Sequence, residues 1–178
     1  MEAARGTGAS SSGFLSGFTP NEYKTLVVSA KPLRGSVVRI IQVLKDEGVI
    51  GTGTAFLVHR DERRGLFLTC EHNFVEDNKG SFVIRFFGGD NEDDEDNEDQ
   101  DYPIERIFNR DSKRDILLFS AKDIPECQCL QISTDEVKPE DNVVMIGYVS
   151  PTLSLNANDE PKELVLVKKP AVIPGKIL

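Results

Sequence analysis

An imidazole and a carboxylate, His72 and Asp115, are the two side chains whose types and settings suggest chemistry. Each sits at the edge of a β-rich apolar run: His72 just after Leu66-Phe67-Leu68-Thr69, and Asp115 just before Ile116-Leu117-Leu118. A serine hydroxyl is a poor nucleophile until an imidazole accepts its proton, and a carboxylate must hold that imidazole in the right tautomer. Residues at strand ends of one barrel can be fixed within hydrogen-bond reach for that purpose. The plainer readings stand beside it. A histidine next to a strand end is often a satisfied structural residue, and Asp115 could simply cap a backbone N–H at the start of its strand. Cys70, at the end of an apolar strand and two residues before His72, is expected to pack as a small hydrophobe rather than act as a nucleophile.

The order of the surrounding residues carries a resemblance. Gly51-Thr52-Gly53-Thr54-Ala55-Phe56-Leu57-Val58, followed by Leu66-Phe67-Leu68-Thr69-Cys70-Glu71-His72-Asn73-Phe74-Val75, resembles the "G-x-G-x-x-h … h-h-T-x-x-H-x-h" pattern (h apolar) of trypsin-like serine proteases of the Deg/HtrA type. Lys113-Arg114-Asp115-Ile116-Leu117-Leu118 resembles that family's "D-h-A-L-L" run. The stretch from Lys138-Pro139-Glu140-Asp141 through Met145-Ile146-Gly147 to Pro151 is similar to the "G-(D/E)-x-V-x-x-I-G-x-P" segment that opens its second barrel, with the proline displaced. The resemblance implies His72 as general base and Asp115 as its orienter. It covers roughly residues 35 to 178 and departs at Glu71, where the family has a small residue. A carboxylate there either faces the imidazole and raises its pKa or points to solvent.

In the family, the nucleophilic serine and the oxyanion-hole amides come from a G-(D/N)-S-G-G turn, and this sequence contains none. The serines after Asp115 are Ser120, Ser133, Ser150 and Ser154, none in the glycine context that exposes a hydroxyl and aims N–H groups at an oxyanion. Family spacing puts the serine beyond Leu178, so the chain as written is expected to be proteolytically inactive alone. Binding of a peptide or protein, with a full-length protease relative among the candidates, is the expected role. The alternatives are an endopeptidase completed by another chain and a β-barrel adaptor working through an acidic loop. No cofactor and no metal ligands are assigned.

The elements that position these residues read as short β-rich runs separated by turn residues, the signature of an all-β domain. The runs are Ser36 to Leu44, Gly53 to Val58, Leu66 to Cys70, Ser81 to Phe87, Tyr102 to Phe108 and Asp115 to Ser120. Six antiparallel strands close a small barrel, and the resemblance implies the trypsin-like (chymotrypsin-fold) N-terminal type over residues 35–121. The tip Arg60-Asp61-Glu62-Arg63-Arg64-Gly65 reads as a hairpin turn in which glycine supplies a positive φ. Residues 122–178 read as a linker and the first strands, Asn142 to Tyr148 and Leu164 to Val167, of an incomplete second barrel. Residues 1–34 read as a flexible arm with one docked strand around Leu26-Val27-Val28, and at most a turn of helix follows His72.

Composition narrows the function classes. The net charge of −9 is local: nine carboxylates lie between Asp90 and Asp101, and outside that run 21 acids face 21 bases. With no basic stripe to neutralise phosphates, nucleic-acid binding is not expected. The run, read as a disordered loop over 89–101, lacks the glycine and carboxylate spacing of an EF-hand. No apolar stretch approaches the about 18 residues of a membrane helix, so no membrane partner is expected. Met1 to Phe18 does not read as a secretory signal. Three cysteines, Cys70, Cys127 and Cys129, without a C-x-x-C spacing argue against a disulfide framework or a zinc cage. A reducing intracellular compartment, cytoplasmic or nuclear, is the expected setting.

Overall fold

The computed structural model describes residues 17–44, 48–74, 80–87, 100–148, 152–155, 161–165 and 168–177. The acidic run between Asp90 and Asp99 lies outside them. Six strands, β1 (Val37–Leu44), β2 (Gly48–Arg60), β3 (Arg64–Thr69), β4 (Gly80–Arg85), β5 (Asp101–Asp111) and β6 (Ile116–Lys122), close into an antiparallel barrel in the order β1-β2-β3-β6-β5-β4. Closure leaves no barrel strand with a free edge. The protein is therefore mostly β, as its patterning implies. β2 and β5 run further than the apolar runs alone suggest, because an antiparallel ladder continues through polar residues once one face is buried.

The interior is filled by alternate residues of these strands: Val38 and Ile40 of β1, Ala55 and Leu57 of β2, Phe67 of β3, Ile84 of β4, and Leu117 and Phe119 of β6. β1 is buried along nearly its whole length, with Val37 and Ile41 on the face away from the interior. Two long-range hydrogen bonds tie the outside of the barrel to the segments beyond it. Leu130 donates its N–H to Leu57 O at 2.8 Å, and Tyr148 donates its N–H to Thr54 Oγ1 at 2.8 Å.

Beyond β6 the chain makes two small sheets. β7 (Asn142–Gly147) pairs antiparallel with β10 (Ala171–Lys176), and β8 (Thr152–Leu155) pairs with β9 (Pro161–Val165). β10 was not expected, since Pro174 and Gly175 interrupt its pattern. In a two-stranded sheet every strand is an edge, where proline costs no ladder bond. The expected run Leu164 to Val167 is displaced: β9 ends at Val165.

Two sequence expectations are corrected. The segment around Leu26-Val27-Val28 is not a docked strand but part of helix α1 (Pro20–Ala30), which packs against β7 and β10. Its start is written in Thr19-Pro20-Asn21-Glu22. The Thr19 hydroxyl accepts from the Glu22 N–H at 3.3 Å, and Glu22 Oε2 accepts from the Thr19 N–H at 2.7 Å, a reciprocal capping box with proline in the first turn. Gly65 is not the positive-φ residue of the hairpin. It pairs with Arg60 inside the ladder, and a Cβ there would lie 2.4 Å from Ile124 Cδ1 and 2.7 Å from the Phe67 ring, so glycine is required for close packing. The turn itself is closed by Asp61, whose N–H donates to Arg64 O and whose carboxylate accepts from the Arg64 N–H.

Candidate functional site

β3 and β6 are far apart in sequence but paired in space, with Thr69 opposite Leu117. Because the pair is antiparallel, the chain leaving β3 and the chain entering β6 lie side by side. A 3-10 turn, Glu71–Asn73, follows β3 and holds His72, while Asp115 immediately precedes β6. His72 Nδ1 lies 2.6 Å from Asp115 Oδ2, and the His72 backbone N–H donates to Asp115 Oδ1 at 3.0 Å. Asp115 thus both caps a backbone N–H and engages the imidazole. The Glu71 N–H adds a bond to Asp115 O at 3.3 Å. Asp115 adopts φ 56°, a left-handed conformation that costs an aspartate about 1 kcal/mol. That cost is met by the three hydrogen bonds.

The pair is exposed: the His72 side chain keeps 70% of its accessible surface and Asp115 keeps 44%. With Nδ1 taken up by the carboxylate, Nε2 is the nitrogen left for a reacting group. Glu71 turns away from the imidazole to an ion pair with Arg110 on β5 at 3.7 Å. Neither orientation considered from the sequence describes it. The Cys70 expectation is also corrected, since Cys70 is exposed rather than packed in the core. Its thiol is pushed up, first by what burial it has and then by the Asp115 carboxylate, so it is held as the neutral thiol and is a poor nucleophile.

The support beneath the pair was not read from the sequence. Asn73, buried, donates from Nδ2 to Thr69 Oγ1 at 3.0 Å, and the Thr69 hydroxyl donates to Thr54 O at 2.7 Å. Gly53 lies directly against the Asn73 amide. Phe74, the residue after the turn, inserts its ring among Phe82 and Phe119 of the core. The signals were present in the second glycine of Gly51-Thr52-Gly53 and in the threonine three residues before His72. Their partners, however, are fixed only by the fold.

The hydrogen bond from the His72 N–H, then that from the ring, hold the Asp115 carboxyl below the ordinary aspartate range. A carboxyl whose pKa is depressed by folding contributes stability that is complete above its unfolded value of about 3.9 and is lost as pH falls through the lower folded value. In a 13C NMR titration Asp115 is expected to titrate below that value. In His72→Ala it should return only part of the way, because the larger cause, the backbone N–H, remains. A midpoint at or above the ordinary value in the native chain would contradict this arrangement.

Compared with known protein families and with curated proteins, the sequence matches no family model and no curated relative. The site is therefore interpreted from its own geometry. Two surface grooves among the described residues lie away from it. One, of about 570 Å³, is lined by the polar hairpin Asp61–Arg64 with Lys122 and Asp123. The other, of about 630 Å³, is apolar and runs between Val37, Phe56, Leu130, Ile132, Val144 and Ile146. No helix among the described residues is long and apolar enough to cross a membrane.

Proposed function

We propose that this chain is a relative of trypsin-like serine proteases of the Deg/HtrA type, carrying the base and orienter of a triad, His72 and Asp115, on a first-barrel scaffold. On this reading the 178-residue chain does not cleave peptides by itself, since none of its serines after Asp115 has the glycine-rich context of a nucleophile. Its role is binding, to a peptide or protein segment or to a full-length protease relative.

The observation that carries the reading is the double use of Asp115. One oxygen holds the His72 backbone, the other meets Nδ1 at 2.6 Å, and the residue accepts a left-handed backbone to do so. A residue that only started a strand would need the backbone bond but not the second bond to the ring. The engaged Nδ1 and the exposed ring also favour a second reading, in which Nε2 serves a serine brought by another chain and activity appears only in the mixed assembly.

A fluorophosphonate probe at near-neutral pH tests both. The purified chain is expected to remain unlabelled, and to change the labelling of a full-length relative when the two are mixed. Labelling of this chain alone would overturn the proposal. If labelling of the mixture requires His72, being lost in His72→Gln, the second reading is the correct one.

A further inference from the structure

We propose that Cys70, His72 and Asp115 form a binding site for a thiophilic divalent cation of the zinc class. The Cys70 sulfur, a ring nitrogen of His72 and a carboxylate oxygen of Asp115 all lie within 4.8 Å of one another, on two chain segments that the β3–β6 pairing brings together. Thiolate, imidazole and carboxylate are the three donor types that zinc takes, and three protein ligands with water completing a tetrahedron is the pattern of its open sites. The sulfur and the nitrogen exclude calcium and magnesium as preferred occupants, since those ions take oxygen.

The geometry needs little change. Bonds of about 2.0 Å in a tetrahedron set nitrogen and oxygen about 3.3 Å apart, whereas Nδ1 and Oδ2 are 2.6 Å apart with a hydrogen between them. The exposed imidazole can swing to open that gap. Asp115 is already oriented, because Oδ1 is held by the His72 N–H and Oδ2 is the oxygen that points to the ring. The exchange is balanced: the cation takes the place of the proton between Nδ1 and Oδ2, and the imidazole stays neutral because Nε2 takes up a proton from water as Nδ1 gives one to it. The thiol proton passes to water, and no electrons move. Cys70 and His72 are both exposed, so the ion has direct access.

The site stands on its ligand geometry and does not depend on the protease reading. It does bear on it, since a cation between Nδ1 and Oδ2 displaces the ring hydrogen bond between those two atoms, while the His72 N–H stays on Oδ1. Other donors in the chain are separable. The nine carboxylates between Asp90 and Asp101 offer only oxygen, and Cys127 and Cys129 are half-buried elsewhere against the barrel.

Cobalt(II) titration of the reduced full chain tests this, because a thiolate–cobalt charge-transfer band in the near ultraviolet arises only from sulfur ligation. The band is expected to saturate, to be reversed by zinc, and to persist in Cys127→Ser/Cys129→Ser. It should vanish in Cys70→Ser. Cobalt affinity should fall in His72→Gln and Asp115→Asn by more than the roughly 10–100-fold that loss of an outer-shell partner costs. Asparagine tolerates the left-handed backbone at 115, and unchanged circular dichroism of each variant ensures that ligation, not folding, is read. A native chain without the band, or a band that survives Cys70→Ser, overturns the proposal. Neither result affects the fluorophosphonate outcome, so the two proposals fail separately.

Discussion

Replacing Phe119 with alanine is expected to destabilise the barrel by about 3–5 kcal/mol, the range for emptying a buried aromatic site. The ring is fully buried, stacked on Phe67 at 5.4 Å and 15°, and tilted against Phe74 at 5.5 Å. Its strand is hydrogen-bonded on both sides, to β3 and to β5, with Phe119 opposite Phe67 in one ladder and Ile107 in the other. Backbone held on both flanks cannot close around a void, which places the expected loss toward the upper end. Phe119→Leu keeps most of the volume and should cost less than half as much.

The effect should reach the candidate site. Phe74 follows the turn that carries His72, and without Phe119 its ring loses one of its two packed aromatic neighbours. The His72 N–H, bonded to Asp115 Oδ1, should exchange with solvent faster in the alanine variant. Urea unfolding and amide exchange measure the two consequences. A loss below about 1 kcal/mol would show that the ring does not sit in a closed core.

How far the sequence discloses this arrangement depends on whether a signal is local. Runs such as Val37-Val38-Arg39-Ile40-Ile41 and Ile116-Leu117-Leu118-Phe119 announce strands because β-branched and aromatic residues recur between turn residues, and six such runs imply a closed sheet. His72 and Asp115 are legible because each stands at the end of such a run. Helix α1 was missed although Thr19, Pro20 and Glu22 spell its cap, since three adjacent β-branched or branched residues, Leu26-Val27-Val28, outweighed a signal placed seven residues earlier. β10 was missed because Pro174 disqualifies it from any position but an edge, and its partner β7 lies across a long stretch of chain. Cys70 was misread for a different reason. Apolar neighbours implied burial, but β3 ends at Thr69, and the residue after the last ladder pair is released to the surface. Only tertiary geometry could set its sulfur beside Asp115.

Gly53→Ala is the second substitution with a large expected effect, and it acts through space rather than backbone conformation. Gly53 does not occupy the left-handed region, but a Cβ there would lie 2.3 Å from both Cγ and Oδ1 of Asn73. A flexible side chain could yield; this amide cannot, because Nδ2 is bonded to Thr69 Oγ1 and Thr69 in turn to Thr54 O. Alanine must expel Asn73 from a buried position, breaking that chain and displacing the turn Glu71–Asn73. Overpacking and the lost buried hydrogen bond together are expected to cost about 2–4 kcal/mol. The displacement also draws His72 away from Asp115, so the depressed Asp115 titration should move back toward its ordinary value. A double-mutant cycle isolates the cause. Asn73→Ala removes the atoms that clash, so Gly53→Ala should be far less harmful in that background, giving a coupling of 1 kcal/mol or more by order of magnitude, about what contacting residues show. Additive losses would mean that Gly53 and Asn73 do not meet, and that the histidine-bearing turn is held by something other than this contact between β2 and the turn.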